Sequence, residues 1–157
     1  MIKKCKDGCC ELLTSKYETS SKPGERKYNH KAGVLLYDST EESVLIVQSR
    51  GNLWGIPKGT LEPSETYIEG AIREVMEETG IDLSGVVFDK SINIGVNSLY
   101  FFLEYVKCEV SIQTSPGNDA NSIGWIKLKC LTEMIKDGDI SLTRHASIIL
   151  KSFLGFE

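Results

Sequence analysis

Three glutamates within five residues, Glu74, Glu77 and Glu78, stand in a segment whose spacing predicts an amphipathic helix. The apolar residues Ile68, Ala71, Ile72, Val75 and Met76 recur at i, i+3, i+4, i+7 and i+8, the stripe of a helix laid on a core. With Glu74 taken as zero and ~100° of rotation per residue, Glu78 falls at ~40° and Glu77 at ~300°, while the apolar set spans ~60° to ~200°. The expectation is a greasy face on one side and a cluster of acids on the other. Thr66 followed by Glu69 fits a capping box, which starts the helix near residue 67, and Gly80 fits its stop. Carboxylates this crowded repel one another. Hard divalent cations, which bind through oxygen, are the usual reason to keep them together. Glu74 and Glu78 are one turn apart and can clasp one ion. Arg73 can pair with Glu77 at i+4 or reach back to Glu65.

A solvated acidic helix face is the plain alternative, and glutamates alone would not decide against it. The full spacing does. The stretch GTLEPSETYIEGAIREVMEETGI, Gly59 to Ile81, resembles the Nudix box at every specified position: Gly59, Glu65, Arg73, Glu74, an aliphatic at Val75, Glu77, Glu78, Gly80 and an aliphatic at Ile81. The resemblance implies an α/β/α sandwich around a mixed sheet. It also implies hydrolysis of a pyrophosphate link in a nucleoside-diphosphate-linked compound, assisted by Mg²⁺ or Mn²⁺. Carried over residue by residue, Glu74 and Glu78 are expected as direct metal ligands, and Glu77 as a further ligand, direct or through water. The Lys58 carbonyl completes the set. Arg73 and Glu65 are expected to orient it. Many relatives add a carboxylate from outside the box. Asn121 stands where that acid would be sought, four residues before Trp125, which leaves Asp119, Glu104, Glu133 or a base from within the box.

The approach to the box, Leu53-Trp54-Gly55-Ile56-Pro57-Lys58-Gly59, narrows the substrate. W-G-x-P-K-G leading into A-I-R-E-V-x-E-E-T-G resembles the messenger-RNA decapping enzymes, and the W-x-x-P-K-G form also occurs in diadenosine-tetraphosphate hydrolases. Substrate contacts are expected from Lys58 on a phosphate oxygen, Trp54 stacked on a base, and Arg50. Alternatively, Trp54 is a packing residue and Lys58 is simply solvated. Capped RNA, dinucleoside polyphosphates, diphosphoinositol polyphosphates and other nucleoside diphosphates all remain open. A Nudix-like domain that only binds is the reading of another class; such domains usually lose box glutamates, and here all are present. Arg144, His145 and Lys151, with the basic run Lys22 to Lys31, offer a modest cationic flank.

The 157 residues suit one compact unit, read as a polar N-terminal extension over 1–30 with one edge strand and a hydrolase domain over 31–157. The net charge of −4 argues against a broad basic surface, and no apolar run is long enough to span a bilayer. Five unevenly spread cysteines point to a reduced, cytoplasmic compartment. Cys5, Cys9 and Cys10 lack a C-x₂-C pair and read as free thiols near a mobile end rather than as a zinc site. Cys108 and Cys130 read as small core residues. Strands are expected over 32–37, 44–49, 86–94, 99–108 and 123–128. Residues 50–58 are expected as a loop, and helices over 67–79, 131–136 and 142–154. That mixture is α+β.

Overall fold

A computed structural model of the chain describes residues 1–15, 29–49, 52–114, 118 and 120–157. In chain order the elements are β1 (Ile2–Lys4), β2 (Glu11–Thr14), β3 (Lys31–Asp38), β4 (Ser43–Ser49), β5 (Leu53–Gly55), β6 (Lys58–Thr60), α1 (Tyr67–Thr79), β7 (Lys90–Ile94), β8 (Ser98–Glu104), β9 (Ala120–Lys127), α2 (Leu128–Lys136), β10 (Ser141–Leu142) and α3 (Arg144–Leu154). The main sheet runs β1-β2-β9-β4-β3-β8-β7. It is mixed, because β3 and β8 are parallel while the other neighbours in that row are antiparallel.

Side chains alternate across this sheet, and the two faces carry two separate cores. Val34 and Leu36 of β3, Leu45 and Val47 of β4, Phe101 of β8, and Ile123 and Trp125 of β9 pack with Ala71 and Val75 of α1. Leu35, Val44, Ile46, Tyr100 and Ile126 face the other way and pack with Leu131 and Met134 of α2 and Ile149 and Leu150 of α3. The result is an α/β/α sandwich around a mixed sheet.

The helix over 67–79 starts on the Thr66–Glu69 capping box and ends on Gly80, whose φ of 78° is left-handed and suits glycine. Its orientation differs from the sequence expectation. The residues it buries are Gly70, Ala71, Glu74, Val75, Glu78 and Thr79, while Ile68 and Met76 stay about half exposed. The buried arc is centred near Glu78, so the acids belong to the packed face and do not oppose it. The physical reason is β6, a short strand beside β3, against which α1 lays its acidic edge while Ala71 and Val75 meet the sheet.

Four further differences have local causes. The loop over 50–58 contains β5, which pairs with β4, and leads into β6. Residues 141–142 form β10 parallel to β5, so Leu142 lies outside the helix expected from there. The N-terminal stretch enters the sheet with two strands, a hairpin whose second strand pairs with β9. Cys108 is exposed, on the segment that follows β8.

Trp54 was weighed as a base-stacking residue, and the structure corrects that reading. It is 1% exposed and belongs to the buried cluster that includes Ile56 and, from α3, Ile149. Its carbonyl accepts from the Thr143 amide at 2.8 Å, which ties β5 to the start of α3. Trp54→Ala is expected to cost about 3–5 kcal/mol, a fall in Tm on the order of 10 °C in thermal unfolding. A Tm unchanged by the substitution would contradict the packing role.

Candidate active site

The site is built where α1 meets β6. Gly59 sits at the centre of β6, and the carboxylate of Glu74 lies directly over it. A methyl group at residue 59 would overlap that carboxylate, so glycine there is what lets Glu74 rest on the strand. One residue earlier, the Lys58 amide donates to Glu78 Oε2 at 3.3 Å. Two carboxylates one helical turn apart are thereby set on consecutive residues of one strand. Glu74 is 8% exposed and Glu78 3%. Ionised groups this buried require partners.

β6 pairs with β3 through residues 57, 59 and 61: Val34 N–H donates to the Pro57 carbonyl, and Leu61 N–H to the His30 carbonyl. In an antiparallel ladder the intervening residues point their amides and carbonyls outward. The Thr60 carbonyl does so, accepting from Arg73 Nη2 at 3.0 Å. By the same alternation the Lys58 carbonyl lies on this outer edge, toward α1. Gly33 permits the pairing, because a side chain there would collide with the Pro57 carbonyl and the Lys58 side chain.

Arg73 organises the acids. Its Nε and Nη2 grip Glu65 in a two-pronged pair at 2.8 and 2.9 Å. Its Nη1 reaches Glu74 at 3.0 Å and Glu77 at 3.1 Å. Glu62, at 3.7 Å from Nε, is a further ion-pair partner that the sequence analysis did not single out. The planar fork suits this task, since a guanidinium can hold several carboxylates in fixed directions. The hydrogen bonds from Arg73 hold Glu65 below the usual carboxylate range, against a smaller opposing effect of burial. The same partners push the guanidinium pKa up. Gly70 leaves room for the anchor, since a side chain there would press on Leu61 and Glu65.

A cationic flank stands nearby. His145 is pushed below its ordinary range by burial first and then by the charges of Lys58, Arg144 and Lys31. Its Nδ1 is 2.7 Å from the Tyr100 hydroxyl. Lys58 stands on β6 beside the acids, Lys31 at the start of β3, and Arg144 and His145 at the start of α3. Lys151 lines a cleft between α2 and α3 and belongs elsewhere.

The candidates outside the box fare differently. Glu104 closes the far end of β8, opposite Tyr37, while the β6 contacts fall at the other end of β3. Its carboxylate accepts from the Ser39 amide at 2.8 Å. Glu133 lies on α2, on the opposite face of the sheet from α1. Neither reaches the acid cluster. Arg50, Asp119 and residues 22–28 of the basic run fall outside the described residues.

The profile of the NUDIX domain matches residues 27–145. The 111R protein of Invertebrate iridescent virus 3 is 28% identical over 135 residues, which covers 83% of this chain and 79% of that protein. The m7GpppN-mRNA hydrolase dcap-2 of Caenorhabditis elegans is 31% identical over 129 residues, 66% of this chain. The matched stretch is 16% of that protein, so the chain corresponds to a small part of it. Among solved structures, DR0079 from Deinococcus radiodurans aligns with a TM-score of 0.61 at 16% identity, covering 90% of this chain and 99% of that one. A MutT NUDIX hydrolase from Burkholderia pseudomallei aligns at 0.59 and 20% identity, covering 80% and 97%.

The Arg73 hub carries a pH signature. Glu65 has a lowered pKa in the folded state, so its contribution is full above the ordinary carboxylate pKa and is lost as pH falls through the lowered value. The Tm gap between wild type and Arg73→Gln is expected to be widest near neutral pH and to shrink as acid protonates Glu65. Thermal melts across a pH series check this; a gap that grows in acid would contradict it. A profile match over most of the chain, together with a complete box folded into one cluster, places this protein in the Nudix hydrolase family.

Proposed function

We propose that the chain is a metal-dependent pyrophosphohydrolase acting on a nucleoside-diphosphate-linked substrate, and that the 5′ cap of messenger RNA is its first candidate substrate. The observation that carries the reading is the pair of buried carboxylates, Glu74 and Glu78, set on adjacent residues of β6, with Glu74 braced by Arg73 and Glu78 held by the Lys58 amide. An arrangement that buries acids side by side works against stability unless cations compensate.

The donors fit a hard divalent ion. They are all oxygens, the carboxylates of Glu74, Glu78 and Glu77 and the carbonyl of Lys58, the set that suits Mg²⁺ or Mn²⁺. Such an ion, when bound, neutralises phosphate oxygens and lowers the pKa of a coordinated water.

The protein's own groups do the remaining work. Arg73 holds Glu74 and Glu77 in place and grips Glu65 in a two-pronged pair, so the acids stay set before substrate arrives. Lys58, Lys31 and Arg144 supply the positive potential that draws a polyphosphate toward an otherwise acidic cluster. His145, pushed toward its neutral form, can donate or accept a hydrogen bond there without adding charge. Glu104 and Glu133 stand away from the cluster, which leaves proton acceptance from water to a carboxylate of the box or to Asp119, outside the described residues.

Two observations favour capped RNA. The W-G-I-P-K-G approach is shared in form with decapping enzymes, and the relative dcap-2 is named as an m7GpppN-mRNA hydrolase. Dinucleoside polyphosphates are the second reading, because the same short approach occurs in diadenosine-tetraphosphate hydrolases and the basic flank is small. All box glutamates are present and converge, which weighs against a domain that only binds.

The test is parallel hydrolysis of capped RNA, diadenosine tetraphosphate, diphosphoinositol polyphosphate and ADP-ribose with Mg²⁺ or Mn²⁺, with products identified by mass. Capped RNA is expected to turn over fastest, and EDTA to abolish turnover. Faster turnover of diadenosine tetraphosphate would move the substrate to the second reading, and inertness toward all four would overturn the proposal. Glu78→Gln is expected to keep the wild-type fold by circular dichroism while lowering turnover at least about 100-fold, ~2.7 kcal/mol of barrier. Near-normal turnover of that variant at saturating metal would remove Glu78 from the site.

A further inference from the structure

On the face of the sheet opposite α1, four cysteine sulfurs meet. Cys5, Cys9 and Cys10 come from the β1–β2 hairpin, and Cys130 comes from α2, far along the chain. All four Sγ atoms lie within 4.8 Å of one another. Cys9 stands at the hub, with its sulfur 3.5 Å from Cys5, 3.7 Å from Cys10 and 3.4 Å from Cys130.

Thiols can gather as small hydrophobic side chains, and Cys5, Cys10 and Cys130 are indeed buried at 5%, 2% and 2% exposed. Cys9 does not fit that explanation. The residue is exposed, yet its sulfur turns inward to touch the other three. Its approach is prepared by the backbone. Gly8 adopts a left-handed φ of 73°, its amide donates to the Cys5 carbonyl at 3.0 Å, and the Cys5 amide donates to the Cys10 carbonyl at 3.2 Å. The tight turn folds residues 9 and 10 back onto residue 5.

The spacing has a chemical meaning. Four thiolates around zinc at ~2.3 Å in tetrahedral array place their sulfurs ~3.8 Å apart. The three distances from Cys9, 3.4–3.7 Å, are within a few tenths of an ångström of that figure, and the remaining pairs lie within 4.8 Å. The Lys127 amide approaches Cys10 Sγ at 3.4 Å, the kind of outer hydrogen bond that supports a metal thiolate. Lys4 and Lys6 flank Cys5 in the chain and Lys129 precedes Cys130, with Lys4 ion-paired to Glu11.

We propose that Cys5, Cys9, Cys10 and Cys130 form a structural zinc site that fastens the N-terminal hairpin to α2. Four sulfur donors favour a soft or borderline ion over Mg²⁺ or Mn²⁺. The donor set is complete without water, so the site is closed and its role is to hold structure. It joins a turn at the start of the chain to a helix near its end, and it lies apart from the acid cluster on the other face of the sheet. The hairpin is also held to the domain by the short β2–β9 pairing, by the packing of Leu12 and Leu13, and by Lys3, whose ammonium donates to the Asp139 carbonyl.

The test uses the full chain, unfolded in a reducing buffer free of metal and refolded with zinc or with cobalt. About one tightly held zinc per chain is expected, with cobalt giving the absorption of a tetrahedral tetrathiolate centre. Zinc is expected to raise Tm and to shield the four thiols from a thiol reagent. Cys9→Ser and Cys130→Ser are each expected to weaken zinc binding and change the cobalt spectrum, while Cys108→Ser leaves both unchanged. Glu78→Gln is expected to keep its zinc, which separates this site from the acid cluster. Failure to retain zinc, thiols that react equally fast with and without it, or a disulfide among the four in protein prepared under reducing conditions would each overturn the proposal.

Discussion

The Arg73 guanidinium is the interaction on which the acidic centre depends. Glu74 and Glu78 are drawn out of water by the packing of α1 on the sheet, and burial of a lone carboxylate would cost several kcal/mol. Arg73 offsets part of that cost for Glu74 and distributes its remaining donors to Glu65, Glu77 and the Thr60 carbonyl. One side chain therefore ties the helix, the turn before it and β6 into a single unit. A lysine could carry the charge but could not reach three carboxylates and a carbonyl in fixed directions.

Steric permission works alongside this electrostatic brace. Gly59 leaves space for the Glu74 carboxylate, Gly33 for the edge of β6, and Gly70 for the Glu65 anchor. Each glycine removes a side chain at a close approach, of the Glu74 carboxylate at Gly59, of the Pro57 carbonyl and Lys58 at Gly33, and of Leu61 and Glu65 at Gly70. The site is thus a close approach of a helix to a short strand, with the Glu74 carboxylate filling the room that the absent side chain of Gly59 leaves.

The two faces of the sheet divide the labour. The α1 face holds the acid cluster, and the α2–α3 face holds the larger aromatic packing, with Trp54 inside it and the thiol cluster at its hairpin edge. Trp54 shows how a motif residue can serve the site without touching a ligand. Buried in the cluster that includes Ile149 of α3, it fixes β5, and β5 runs directly into the Pro57 turn that presents Lys58 and Gly59.

Much of the site was legible because it is local. A helix from 67 to 79, its cap, its stop and the Arg73–Glu65 pairing all lie within a short stretch, where periodicity, capping chemistry and motif spacing act directly. The strands of β3, β4 and β9 were readable from their runs of aliphatic residues. The rotation of α1 was not readable, because which arc of a helix is buried depends on what packs against it, and β6 looked like loop. Burial of Trp54, exclusion of Glu104 and Glu133 from the cluster, and the meeting of Cys130 with the hairpin thiols depend on sheet order and on which face each element covers. Sequence by itself determined the acid-bearing helix and its chemical class, since those rest on neighbours along the chain. Tertiary structure alone decided which charges are buried, which aromatic is core and which distant thiols meet, since those rest on neighbours in space.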